Sequence, residues 1–167
     1  MPNEISKRVG QSYGKVITKR EHTPLIHKVY GHEKDTPGIR LRKARLERNL
    51  FLRELAELAR LTPETIRNIE KDVYECKTGL KVTTAKKLAK ALDKPIWYVG
   101  FYDKLTEKTL GQKLKKARLY HGHTLVEAAK YLGVDEKTIR KWEKDKKSPR
   151  SDMLKRLKKY LEILITG

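Results

Sequence analysis

The sequence predicts an all-α protein with two tandem domains of four to five short helices each. Residues 38–72 and 111–145 align without a gap at an offset of 73 residues, and 15 of the 35 aligned positions are identical. Within each repeat the apolar residues recur at spacings of three and four, which is the period of an amphipathic helix. Capping residues divide each repeat into helices. Because two copies are too few for a solenoid, each copy is predicted to fold as a small domain.

Copy one is expected to cover residues 38–100 and to contain four helices. The first begins near Gly38, the second runs from about 52 to 59, and the fourth from about 84 to 92. The third follows Thr62-Pro63-Glu64, where a threonine N-cap, a proline and an acidic residue all favour a helix start. A short apolar segment follows at 95–99. The residues predicted to face the core are Leu41, Ala44, the stem of Arg45, Leu55, Ala56, Ala59, Ile66 and Ile69.

Copy two is expected to cover residues 111–167, after a short connector at 101–110. Thr124 and Asp135 are the predicted N-caps of its second and third helices. A fourth helix is predicted over about 151–164. The third helix is expected to turn Ile139 and Trp142 towards the core.

Residues 1–37 form a basic N-terminal arm that shows no helical period. Two candidate strands, 14–20 and 25–30, flank a possible turn, so a short β-hairpin and a disordered arm are both open. His22, His27 and His32 recur every five residues, but no cysteine or carboxylate cluster completes a zinc-ligand pattern. We therefore expect no metal site in the arm and no cofactor in the chain.

The chain carries 40 Lys and Arg against 21 Asp and Glu, a formal net charge of +19. This excess favours a polyanionic partner, because basic side chains displace the counterions condensed on phosphate backbones. Solvated basic faces without such a partner are the plainer alternative. No stretch is long and apolar enough to span a membrane, no signal peptide is visible, and the single Cys76 excludes an internal disulfide. We expect a cytoplasmic, nucleoid-associated protein without membrane contact.

Two short helices joined by a tight turn, the second beginning at a polar cap, form a helix-turn-helix. The sequence LRELAELARLTPETIRNIEKD, preceded by LRKARLERN, resembles the Cro and phage-repressor (XRE) family of DNA-binding domains. Copy two resembles the same family through LKKARLYHGHTLVEAAKYLGVDEKTIRKWEKDKKSP. The resemblance covers about residues 38–100 and 111–165, and it implies two lambda-repressor-like domains that bind double-stranded DNA.

In this family the third helix lies in the major groove and its N-terminal residues contact base edges. Transferred by position, the base-reading residues are Pro63, Glu64, Thr65, Arg67 and Asn68 in copy one, and Glu136, Lys137, Thr138, Arg140 and Lys141 in copy two. Amide, ammonium and carboxylate groups in these sets suit the edges of adenine, guanine and cytosine respectively. Because several of these positions differ between the copies, the two domains are expected to read different sequences. Helix positions that are merely exposed to solvent are the alternative.

The resemblance also implies residues that position the third helix. Arg45–Glu70 and Arg118–Glu143 match a semi-buried ion pair between the first and third helices, and losing one partner strands a charge. Phosphate contacts are expected from backbone N–H groups that open the second helix, and from basic residues after the third helix. These basic residues are Lys71, Lys144, Lys146, Lys147 and Arg150.

The sequence departs from the family in two places. Leu52 and Leu125 occupy the position at which the family often has a glutamine that contacts the DNA backbone. Arg60 replaces the turn glycine that copy two keeps as Gly133, and a left-handed conformation there costs an arginine about 1 kcal/mol. Whether copy one binds DNA or mainly packs is therefore open.

These features predict a sequence-specific DNA-binding transcriptional regulator, of the bacterial or mobile-element repressor type, with no small-molecule ligand. Two assemblies are open, a monomer whose two domains read a non-palindromic site and a homodimer formed through the apolar residues at 96–101. The alternative functions are an antitoxin or adaptor that docks a protein, and RNA binding. An enzyme is not expected, because the sequence has no P-loop, no HExxH motif and no nucleophile–base set.

Overall fold

The computed structural model describes residues 35–72 and 79–166, and every regular element in these ranges is helical. Copy one contains α1 (Pro37–Glu47), α2 (Leu52–Ala59), α3 (Pro63–Glu70), α4 (Val82–Leu92) and α5 (Ile96–Gly100). After a 3₁₀ turn (Tyr102–Lys104), copy two contains α6 (Leu110–Tyr120), α7 (Leu125–Leu132), α8 (Glu136–Glu143), α9 (Ser151–Leu161) and α10 (Ile163–Thr166). The predicted all-α fold with a repeated helix-turn-helix is confirmed. The arm at 1–34, with its candidate strands and histidines, lies outside the described residues.

The helices begin at the capping residues that the sequence predicts. Thr62 accepts the amide of Thr65 at 3.1 Å, and Asp135 accepts the amide of Thr138 at 2.8 Å. Thr124 caps α7 in the same way, whereas Phe51 at the start of α2 has no side-chain oxygen to offer. The caps fix where each helix starts, and the spacing of the apolar residues sets which face each helix turns inward.

Each copy has its own apolar core. In copy one, Leu41, Leu55 and Ile66 are fully buried. In copy two, Ile139 is fully buried and Leu114 is almost fully buried. Every residue predicted to face the core is buried, including the guanidinium-bearing Arg45. None of the described helices combines the length and the apolar content needed to cross a membrane.

The structure corrects one detail of the predicted elements and adds one to the connector. The last helix of copy two is not continuous to residue 164, because α9 ends at Leu161 and the short α10 begins at Ile163. The short connector predicted at 101–110 packs against copy one. Its Tyr102 is fully buried, and the Tyr102 hydroxyl donates to the carbonyl oxygen of Leu80 at 2.9 Å. Part of the connector therefore belongs to the core of copy one.

The turn between the second and third helices needs a left-handed residue in both copies. Gly133 has φ 72°, and Arg60 has φ 51° at the corresponding position. A left-handed residue brings its Cβ too close to the next carbonyl oxygen, so glycine adopts this conformation at much lower cost.

Replacing this arginine is therefore expected to stabilise copy one. Arg60→Gly should raise the free energy of unfolding by about 1 kcal/mol, because it removes the left-handed strain of Arg60. Urea denaturation of the full chain measures the change. Gly133→Ala is the matched reverse substitution, and it should lower the free energy of unfolding by a similar amount. A loss of stability in Arg60→Gly would show that the Arg60 side chain contributes more than its backbone costs.

The two copies also pack against each other. Leu119 of α6 is buried among the core residues of copy one, and the ring of Trp97 stacks on that of Tyr120 with centroids 6.2 Å apart. The apolar residues of α5 thus serve the core of copy one and the contact with copy two. The structure gives them these roles within a single chain.

Candidate nucleic-acid interface

The third helix of each copy is held at its N-terminus by its cap. In copy two the Thr138 hydroxyl donates to Asp135 at 2.6 Å, and this bond together with the Thr138 amide lowers the pKa of the Asp135 carboxyl. In copy one the hydroxyls of Thr62 and Thr65 lie 2.8 Å apart. The two threonines predicted to contact DNA therefore already use their hydroxyls in a hydrogen bond within the cap, while their methyl groups remain available to a base.

A buried ion pair ties the third helix to the first helix in each copy. Arg45 donates to both carboxylate oxygens of Glu70, at 2.6 and 2.8 Å, and Arg118 donates to Glu143 at 2.5 and 3.1 Å. Each of these four side chains is only about 9% exposed. The remaining guanidinium nitrogen binds the carbonyl oxygen of Leu50 in copy one and of His123 in copy two. This arrangement fixes the rotation of α3 and α8.

A second tie, which the sequence interpretation missed, holds the other end of the third helix. The Asp72 carboxylate accepts the amide of Gly38 at 2.9 Å and the hydroxyl of Thr36. In copy two, Asp145 accepts the amide of Gly111 at 3.0 Å and the hydroxyl of Thr109 at 2.6 Å. We call each of these arrangements the aspartate clasp. Its sequence signal is the identity of the glycine and the aspartate in both copies.

The clasp requires close contact between the first and third helices. A Cβ atom on Gly38 would lie 2.4 Å from the carbonyl oxygen of Ile69. A Cβ atom on Gly111 would lie 2.2 Å from the carbonyl oxygen of Trp142. Only glycine allows this approach, so the position of each third helix depends on a glycine in the first.

The outer face of α8 carries the predicted base-reading residues of copy two. Lys137, Arg140 and Lys141 are exposed, and Glu136 and Thr138 are half-buried. Arg140 forms an ion pair with Glu136 one turn earlier. In the described part of the chain, no hydrogen bond or ion pair engages the amino groups of Lys137 and Lys141. These two ammonium groups are available to a ligand without breaking any contact within the domain.

The outer face of α3 is less basic. Pro63, Glu64 and Arg67 are exposed, and Thr65 and Asn68 are half-buried. Arg67 is paired with Glu64 at 2.7 Å. Among the polar residues of this set, only Asn68 has a side chain without a hydrogen bond or ion pair in the described part of the chain.

The predicted phosphate-binding residues accentuate this difference. These residues are Lys71, Lys144, Lys146, Lys147 and Arg150, and all five are exposed. Within residues 35–72 and 79–166, none of them forms an ion pair. The sequence from 136 to 150 has seven basic and three acidic residues, whereas the equivalent stretch from 63 to 77 has three basic and four acidic residues. The positive charge next to the third helix, which attracts a phosphate backbone, is therefore greater in copy two.

Some of the backbone amides at the start of the second helices already have a hydrogen-bond partner within the domain. The amide of Phe51 donates to Glu54, and the amide of Thr124 donates to Glu127, each at 2.7 Å. The hydrogen bond from the Thr124 backbone is the main reason that the pKa of Glu127 falls to about 2. A carboxylate therefore already binds the amide of each N-cap residue, and phosphate contacts remain a prediction for the amides of the first helical turn.

Two helix-turn-helix units whose third helices are exposed outward define the class of DNA-binding helix-turn-helix proteins. A family model described as Helix-turn-helix (HTH_3) matches residues 41–96 and 114–166. The matched segments cover more than half of the chain, so the protein belongs to this XRE-type family and contains two tandem copies of its domain. It is accordingly a DNA-binding helix-turn-helix regulator. Comparison with curated proteins and with solved structures finds no match.

Proposed function

We propose that this protein is a sequence-specific regulator of transcription, of the bacterial or mobile-element repressor type, that reads the major groove with its third helices. The observation that carries the proposal is the state of α8. Its cap, its ion pair and its clasp hold both ends and the inner face, while Lys137 and Lys141 project outward without a partner in the described residues. A rigid helix that presents free donors is suited to hydrogen bonding with base edges.

Copy two supplies most of the binding free energy in this proposal. Its third helix and the residues that follow combine two unpaired lysines with a strongly basic segment. Copy one presents Asn68 and the paired Arg67, so it contributes base contacts with less electrostatic attraction than copy two.

Lys141→Ala tests the role in base reading. It should weaken binding to the preferred duplex by about 1–3 kcal/mol and leave binding to random duplexes nearly unchanged, because a base contact is specific to its site. Titration of labelled duplexes measured by fluorescence anisotropy, at several salt concentrations, gives both affinities.

Two further lysines provide controls for this measurement. Lys146→Ala should weaken binding to all duplexes alike and reduce the salt slope by about one, as a phosphate contact does. Lys158→Ala, on the exposed face of α9, should change neither quantity. Equal losses of Lys141→Ala on preferred and random duplexes would contradict the proposed base contact.

Docking of a protein, as an antitoxin or adaptor does, is the second candidate function. Leu58 on α2 and Tyr131 on α7 occupy equivalent positions in the two copies, and both are about half exposed. An apolar side chain that recurs at one exposed position is the observation that favours this candidate. Selection of bound duplexes from a random pool decides between the two functions, because a docking module enriches no sequence.

A further inference from the structure

The contact between the two copies uses different surfaces of the two domains. Copy one contributes α4, α5 and the connector, through Lys86, Trp97 and Asp103. Copy two contributes α6, through Leu119 and Tyr120, and the N-terminal turn of α7, where Glu127 pairs with Lys86 of copy one at 3.2 Å. The contact is therefore heterologous, since no patch of one domain faces the same patch of the other.

The equivalent positions in copy one confirm that the contact has no two-fold counterpart. Tyr120 corresponds to Glu47, which is paired with Lys94 within copy one at 2.9 Å. Lys116 is buried at the contact, whereas its counterpart Lys43 is exposed. The surface that copy two uses for docking is thus absent from copy one, although the two share their fold.

The connector is fixed to both copies at this contact. Arg40 of α1 donates to both carboxylate oxygens of Asp103, at 2.7 and 2.8 Å. The guanidinium also binds Asp35 and lies 4.5 Å from the ring centre of Phe101. From the other side, Lys116 donates to the carbonyl oxygen of Asp103 at 3.3 Å. Asp103 therefore links α1 to α6, and it restrains the orientation of one domain relative to the other.

Two half-sites of similar sequence can have only two relative orientations on a DNA duplex, inverted or direct. Inverted half-sites are related by a two-fold axis, and proteins bind them through isologous contacts. Direct repeats are related by rotation and translation along the helix axis. A heterologous contact cannot supply the two-fold axis. Building on the function proposed above, we propose that the two domains read half-sites arranged as a direct repeat, at one fixed spacing set by this contact.

The natural half-sites differ in sequence, so their relative orientation is best tested with matched third helices. The triple substitution Pro63→Glu, Glu64→Lys and Asn68→Lys gives α3 the outward residues of α8 at these three positions. All three lie on the outer, solvent-facing side of α3. Duplexes are first selected with the natural chain to define the half-site of copy two. Pairs of that half-site are then offered to the substituted chain in direct and inverted orientation, at every spacing from one to two turns.

The expected result is one preferred direct spacing, bound about 100-fold more tightly than any inverted pair, because the second domain then binds at a high effective concentration. Preference for an inverted pair, or equal binding to a single half-site, would overturn the direct-repeat proposal while leaving the protein a DNA-binding regulator. If the natural chain enriches no sequence in the first selection, the proposed function itself fails. The two failures are therefore distinguishable.

A second variant tests whether the contact between the domains sets the spacing. Trp97→Ala removes the ring that stacks on Tyr120, and it should flatten the preference among direct spacings to less than about tenfold. Affinity for a single half-site should remain within about twofold of the unsubstituted chain. Tyr131→Ala removes an exposed ring outside the contact, and it should keep the spacing preference. An unchanged spacing preference in Trp97→Ala would show that the contact does not determine the geometry on DNA.

Discussion

Glu143→Gln is expected to lower the free energy of unfolding by about 3 kcal/mol, because it leaves the guanidinium of Arg118 buried without its counter-charge. Arg118 and Glu143 are each about 9% exposed, so water cannot replace the lost partner. The neutral amide keeps the size of the side chain, which separates the loss of charge from the loss of packing. Urea denaturation followed by circular dichroism measures the stability, and duplex titration measures DNA binding in the folded protein.

The repeat provides the control for this variant. Glu70→Gln breaks the corresponding pair with Arg45 and should reduce stability by a similar amount, since both pairs share the same geometry and exposure. The loss of DNA affinity in Glu70→Gln should be smaller than in Glu143→Gln, because four of the five predicted phosphate-binding residues follow α8 and only one follows α3. Stability unchanged in both variants would mean that solvent reaches these guanidinium groups. Equal losses of affinity would contradict the dominant role of copy two.

Gly111→Ala is expected to lower the free energy of unfolding by about 3 kcal/mol, the upper part of the range for overpacking. The added Cβ would lie 2.2 Å from the carbonyl oxygen of Trp142 and 2.7 Å from a carboxylate oxygen of Asp145. Backbone atoms cannot rotate away as the end of a side chain can, so α6 must separate from α8. This movement opens the aspartate clasp and displaces the helix that carries Lys137 and Lys141.

The sign of the stability change in Gly111→Ala decides whether α6 and α8 approach each other as closely as described. By helix propensity alone, alanine in place of glycine would stabilise α6 by up to about 1 kcal/mol. A rise in stability would therefore show that the two helices separate without cost, and it would contradict the close approach. Thermal unfolding and affinity for the preferred duplex should fall together. Lys113→Ala, on the exposed side of the same helix, is the control and should change neither.

The helices of both domains could be predicted from the sequence because local signals mark them. The N-caps Thr62, Thr124 and Asp135 and the three- and four-residue spacing of apolar residues depend on contacts within a few residues. The break after Leu161 was missed, since the apolar period continues through it. The left-handed conformation of Arg60 could be predicted from the sequence only because Gly133 occupies the same turn in the other copy.

The features that the sequence did not reveal are those that join distant segments. Asp72 and Asp145 receive their hydrogen bonds from residues 34 to 36 positions earlier. Tyr102 belongs to a connector by sequence and to a core by packing. For the candidate site, the sequence identified which residues lie on α3 and α8, but not that Arg67 and Arg140 are paired within their own helices. Such pairing depends on side-chain geometry, which a sequence pattern does not specify.

The joining of both domains in one polypeptide has a consequence for the dose response. A repressor that must dimerise first loses occupancy with the square of its concentration when it is scarce. Here Leu119, Trp97 and Tyr120 hold the second domain beside the first at any dilution. Occupancy of a site that one chain fills then follows a simple hyperbola with a Hill coefficient of one. Under the proposed function with one chain per site, halving the amount of the regulator lowers its occupancy by at most half, so the expected output is graded and has no threshold.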